Sequence, residues 1–171
     1  MLRLAGVAVI GAVAAAAAAH TVAALEQVRD APLRPAEAVA LTPAAAPAQG
    51  DPASVVKSPD GHYWAEAEVD GHAVHFLVDT GASAVALTPD DATRLGYAPQ
   101  SLSYSYQVST ASGVARAAKV RLESVSVAGA EVRDVDAFVI ENGLPTSLLG
   151  MTYLGRLSQF EATQTSLILR P

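Results

Sequence analysis

This sequence predicts an all-β fold, a small barrel or sandwich carrying one or two short helices, and three features predict it. Short runs in which apolar and polar residues alternate recur from Tyr63 onward, which is the period of a strand with one buried face. Turn-forming pairs, Asp70-Gly71 and Ala128-Gly129, separate such runs in the manner of hairpins. The stretch opening at Thr88-Pro89 carries the cap-and-proline signature of a helix start.

In chain order, Tyr63 to Val69 places Glu66 and Glu68 on one face and Ala65, Ala67 and Val69 on the other. Asp70-Gly71 turns the chain, and His72 to Val78 runs back. His72 and His75 are three apart, so a strand sends them to opposite faces and they do not form a metal site. The run ends in Asp79-Thr80-Gly81-Ala82-Ser83, which reads as a buried strand delivering one carboxylate to the tip of a tight loop. Gly81 admits backbone angles closed to other residues and lets another backbone approach, while the Thr80 hydroxyl can bond across a crowded junction.

Ala84 to Leu87 follows as a short strand. Thr88 then caps a helix, with Pro89 as its first residue, Asp91 at its positive end and Gly96 as its stop. Capping accounts for both Asp90 and Asp91 without chemistry. A second hairpin is predicted where Tyr104, Tyr106 and Val108 alternate with serines and Gln107, pass the small-residue tip Ser109 to Val114, and resume at Arg116, Ala118 and Val120. Further strands are predicted at Leu122 to Val127 and Val132 to Ile140, and a short helix at Met151 to Leu157. The last strand, Ser166 to Leu169, is unusually apolar for a chain end and suits burial against a partner or against its own barrel.

The phrase Val78-Asp79-Thr80-Gly81-Ala82-Ser83 resembles the active-site loop of retropepsin-like aspartic proteases, and Ser147-Leu148-Leu149-Gly150 resembles the family's second element. Ser109-Thr110-Ala111-Ser112-Gly113-Val114, between them, is similar to the tip of its flap hairpin. The resemblance runs from about Tyr63 to Pro171 and is strongest to small single-domain bacterial members. It implies an acid-protease barrel in which Asp79 is catalytic, and Leu148, Leu149 and Gly150 close a loop around its strand. With one Asp-Thr-Gly in the chain, it further implies a two-fold homodimer in which each subunit supplies one acid. Thr80 would brace the paired loops across the axis, Gly81 would let them approach, and Thr110, Ala111, Ser112 and Gly113 would fold over a protein or peptide substrate. Such an enzyme needs no metal and no organic cofactor.

Ala82 stands where many pepsin-like relatives have a hydroxyl that bonds the carboxylate, so the resemblance implies work at mildly acidic to near-neutral pH, unless Ser83 supplies that bond. Two other functions compete with this reading. Ser83 sits in half of a nucleophile elbow, but the second Gly is missing and every His precedes it. A non-catalytic module binding extended peptides in the same groove would keep Asp79 intact.

The whole chain has 171 residues and no cysteine, which excludes a thiolate nucleophile and a disulfide framework. Its net charge of −6 excludes a nucleic-acid groove, which needs clustered Lys and Arg. Residues 1–25 combine Arg3 with the uncharged run Leu4 to Ala19 and read as a signal peptide or an N-terminal membrane anchor. Either reading predicts export, to a bacterial periplasm. Residues 26–59, rich in Ala and Pro, read as a linker, and residues 60–171 as the protease domain.

Overall fold

A computed structural model describes residues 46–110 and 113–171, all within one structural unit, Ala38–Pro171. Asp70 and Gly71 adopt left-handed φ values of 49° and 81°, the geometry of a two-residue hairpin turn matched to strand twist. They join β2 (Trp64–Val69) to β3 (His72–Val78), paired from Val69↔His72 to Trp64↔Leu77. Ala128 and Gly129, at φ 48° and 97°, turn β6 (Gly113–Val127) into β7 (Ala130–Ile140) in the same way. The remaining strands are β1 (Ala53–Val56), β4 (Val85–Leu87), β5 (Tyr106–Thr110), β8 (Ser147–Leu149), β9 (Gln159–Ala162) and β10 (Ser166–Arg170). Helices α1 (Pro89–Arg94) and α2 (Met151–Leu154) are short, and a 3₁₀ turn spans Pro99–Ser101.

The main sheet has the order β2-β3-β8-β4-β7-β6-β5, and a further pairing of β2 with β6 closes a six-strand barrel from which β5 projects. Its interior is filled by Val69, Val74, Phe76, Leu87, Leu122, Val125, Leu149 and Leu154, all fully buried. Each such side chain contributes about 1.5–3 kcal/mol by leaving water. A second apolar cluster, Ala115, Ala117, Phe138 and Ile140, packs with Ala84, Ala86, Val108 and Leu144. Strand β4 serves both, because alternation sends Val85 and Leu87 to the barrel interior and its flanking alanines to the smaller cluster.

Several boundaries differ from the sequence expectation. The runs read as Val114 to Val120 and Leu122 to Val127 are one 15-residue strand, β6. Ala117 and Ala118 are both buried, and pairing with β7 lapses at Glu123, opposite Asp134 at φ 53°. The buried face switches at both places, which breaks the simple alternation from which a strand is read. The helix predicted to Leu157 ends at Leu154.

Strand β1 lies inside the stretch read as linker and pairs with β10 from Ala53↔Leu169 to Val56↔Ser166. Ahead of it, Gln49 bridges to Glu131, and a Cβ on Gly50 would fall 2.0 Å from the Gly129 carbonyl oxygen. Ordered structure therefore begins before residue 60. The terminal strand β10 occupies the middle of the sheet β1-β10-β9, with Leu167 and Leu169 buried in the chain's own core. Both of its hydrogen-bonding edges are filled by β1 and β9, and Leu167 and Leu169 meet the expectation of burial against the chain's own barrel. Among the described residues no helix is long and apolar enough to cross a membrane, and the segment 1–25 lies outside the described residues.

Candidate active site

The acid is positioned by an insertion that joins distant parts of the chain. Strand β8 lies between β3 and β4, parallel to β3 (Phe76↔Ser147, Leu77↔Leu148, Val78↔Leu149) and antiparallel to β4 (Ala86↔Leu148). Beyond Val78 the chain leaves the sheet at Asp79, whose amide donates to the Leu149 carbonyl at 3.2 Å. Ala82 N–H closes the turn on the Asp79 carbonyl at 3.2 Å, and the Ala82 carbonyl accepts from Met151 N–H at 2.9 Å. Val85 N–H donates to the hydroxyl of buried Thr152 at 2.8 Å, fixing the far side of the loop.

Gly150 is where the two motifs meet. A Cβ there would lie 2.2 Å from the carbonyl oxygen of Ala84 and 2.7 Å from that of Ala82, so only glycine fits. Gly81 serves the carboxylate: its N–H donates to Asp79 Oδ1 at 2.8 Å, and an added Cβ would stand 3.1 Å from the same oxygen. Its φ is not in the left-handed range, so close approach explains this glycine, and the expected freedom of angle does not.

Asp79 and Ala82 are half-buried, whereas Thr80, Gly81 and Ser83 are exposed. The Asp79 carboxylate thus has one oxygen held by a backbone donor and is reached from outside. Leu148 is half-buried between its neighbours, and Leu149 fully buried. At the tip of the β5–β6 hairpin, Thr110 pairs with Gly113, which takes φ 112°, and the Thr110 hydroxyl donates to the Gly113 carbonyl at 2.8 Å. Ala111 and Ser112 lie outside the described residues. Tyr106 on β5 meets Phe138 edge-on at 5.3 Å.

The exposed His75 stacks on Trp64 at 5.0 Å and pairs with Glu66 Oε1 at 2.5 Å. Among the described residues no group of three or more His, Asp or Glu could hold a metal ion. A cleft of about 460 Å³ is walled by His75, Thr88, Pro89, Asp91, Arg94 and Pro145, and no residue of the Asp79 loop lines it.

Sequence reasoning missed Ser147 and Thr152 as supports of the site and read only half of Asp91. Thr88 is the helix cap as expected, accepting from Asp91 N–H at 3.1 Å. The Asp91 carboxylate goes further: Oδ2 accepts from Ser147 Oγ at 2.5 Å and Thr88 Oγ1 at 3.0 Å, and Oδ1 pairs with Arg94 at 3.0 Å. Nothing in the local pattern around residue 91 points to a partner 56 positions away.

A closed barrel with an Asp-Thr-Gly loop locked by Leu-Leu-Gly defines the retropepsin-like class of aspartic protease folds. Residues 65–156 match the family described as "gag-polyprotein putative aspartyl protease", and the chain belongs to this retropepsin-like family. It is similar to a retropepsin-like aspartic protease from Rickettsia conorii of known crystal structure, with 34% identity, a TM-score of 0.63, and coverage of 71% of this chain and 92% of that one. It is 41% identical over 112 residues to an uncharacterized protein in the cobV 5′ region of Sinorhizobium sp, covering 65% of this chain and 48% of that protein. It is 40% identical over 115 residues to the uncharacterized protein RP867 of Rickettsia prowazekii strain Madrid E, covering 67% and 49%. The chain thus spans about half the length of these curated relatives.

Proposed function

We propose that this protein is an aspartic endopeptidase acting as a homodimer, with Asp79 of each subunit at the two-fold axis. The observation that carries the reading is the locked Asp79 loop, in which a half-buried carboxylate accepts from Gly81 N–H while the residue's backbone amide is seated on the Leu149 carbonyl. The similar Rickettsia conorii chain, described as a retropepsin-like aspartic protease, supports it.

Two carboxyl groups so placed share one proton, because like charges in contact cannot both ionise. The ionised one takes a proton from a water between them while that water's oxygen attacks the substrate carbonyl. The protonated one gives its proton to the carbonyl oxygen, and a tetrahedral diol results. One carboxyl then gives its proton to the amide nitrogen while the other takes a proton from a diol hydroxyl, so that the C–N bond breaks, the product carboxyl forms and the pair again shares one proton. Thr80 and Gly81 would brace the paired loops, and the hairpin tip at Thr110–Gly113 would close over an extended peptide. This chemistry uses no cofactor. Residues 1–25 would direct the enzyme to the bacterial periplasm, either cleaved or left as a membrane attachment.

The test is cleavage of an unfolded protein by the full-length chain beside an Asp79→Ala control. Specific cleavage by the wild type alone is expected. Binding of the unfolded chain without any cleavage would replace the enzyme by a peptide-binding module.

A further inference from the structure

We propose that Asp91, acting through Ser147, is a positioning residue for the loop that carries Asp79. Only the effect on turnover rests on the protease reading. Asp91, Ser147 and Thr152 are the buried polar residues among those described, at 8%, 0% and 5% exposure. Burying such groups costs free energy unless they are fully bonded, so each calls for a reason. Thr152 has one in the amide of Val85.

Capping does not explain the other two. A cap at Thr88 needs its hydroxyl and the Asp91 amide, and leaves the acid's carboxylate free to remain in solvent. Here the carboxylate is drawn inward onto Ser147, whose oxygen also accepts Thr88 N–H at 3.1 Å. Thr88 directly follows β4, and Ser147 is the first residue of β8, opposite Phe76. The knot therefore ties the end of one strand flanking the acid to the start of the strand that locks it.

Strand β8 is three residues long and pairs with β4 only at Ala86↔Leu148, so few ladder bonds hold it. The Asp79 amide on the Leu149 carbonyl and the Met151 amide on the Ala82 carbonyl fix its distal end, and Asp91 fixes the near one. Loss of the near tie lets β8 shift, and the carbonyl that seats Asp79 shifts with it.

Hydrogen exchange on the full-length protein tests this. In Ser147→Ala the amides of Asp79 and Met151 should exchange about tenfold faster, with amides of the β2–β6 pairing unchanged, as expected of local rather than global opening. Asp91→Asn should reproduce the pattern, and it carries the test if Ser147→Ala fails to fold. The double variant should be no worse than the more severe single one, because both remove the same tie. In cleavage assays kcat should fall with KM nearly constant. Uniform acceleration across the barrel, or unchanged exchange at Asp79 and Met151, would overturn the proposal. Unchanged exchange in an active enzyme would leave the protease reading intact, and a wild type that cleaves nothing would leave the exchange result to decide the positioning role.

Discussion

Gly150 and Ala84 touch backbone to backbone: a Cβ on the glycine would stand 2.2 Å from the alanine's carbonyl oxygen. Neither atom is on a flexible side chain, so Gly150→Ala must part β8 from the Asp79 loop. The expected cost is roughly 3 kcal/mol or more, at the upper end of overpacking penalties. Urea denaturation measures it, and a variant within about 1 kcal/mol of wild type would contradict this geometry. Gly81→Ala should behave differently. Its Cβ would meet only Asp79 Oδ1, at 3.1 Å, so the fold should persist while cleavage falls.

Asp79→Asn should abolish cleavage with the far-ultraviolet spectrum and melting temperature close to those of wild type. The amide has the shape of the acid and can still accept from Gly81 N–H, but cannot take a proton from water at working pH. Purified variant with wild-type kcat/KM would remove Asp79 from the mechanism.

Tyr153 should make stability fall at alkaline pH. Burial pushes its phenol well above the ordinary value, and its hydroxyl donates to the Ala130 carbonyl at 2.8 Å. The unfolded phenol ionises near pH 10, while the folded one must stay neutral. The unfolded state thus binds fewer protons, and stability declines as pH rises above about 10. Tyr153→Phe should cost about 1 kcal/mol at neutral pH through the lost hydrogen bond. The gap between the two melting temperatures should narrow from pH 9 to 11, and a constant gap would refute the linkage.

Ending the chain at Ser166 should destroy the fold rather than merely weaken a dimer. It deletes Leu167 and Leu169 from the core and removes the partner that joins β1 to β9. Two buried leucines are worth about 2–5 kcal/mol each, against a total stability of about 5–15 kcal/mol. Loss of a cooperative thermal transition is expected, and a folded truncated monomer would show that β10 is dispensable.

How much was legible followed the range over which the physics acts. Asp70-Gly71, Ala128-Gly129 and Thr88-Pro89 were readable because turns and caps are set by adjacent residues. The motifs at Asp79 and Leu148 were readable by resemblance, but the placement of β8 between β3 and β4 was not, since no local pattern encodes a neighbour so far along the chain. Strand β1 was hidden by Pro52 and the Ala-rich flank, although Val55 is buried. Ser147 was legible as the start of the Leu148-Leu149-Gly150 motif but its partner was not, because a serine inside a strand looks the same whether its hydroxyl meets water or Asp91.

The slot between β3 and β4 is filled by residues that emerge late in synthesis. A nascent chain that has passed Leu87 holds both flanking strands and the acid, yet nothing to bridge them until Ser147–Leu149 arrives. Such non-local pairing makes folding slow. It also ties maturation to completion, since a translation product halted before residue 147 carries Asp79 on a loop with no seat.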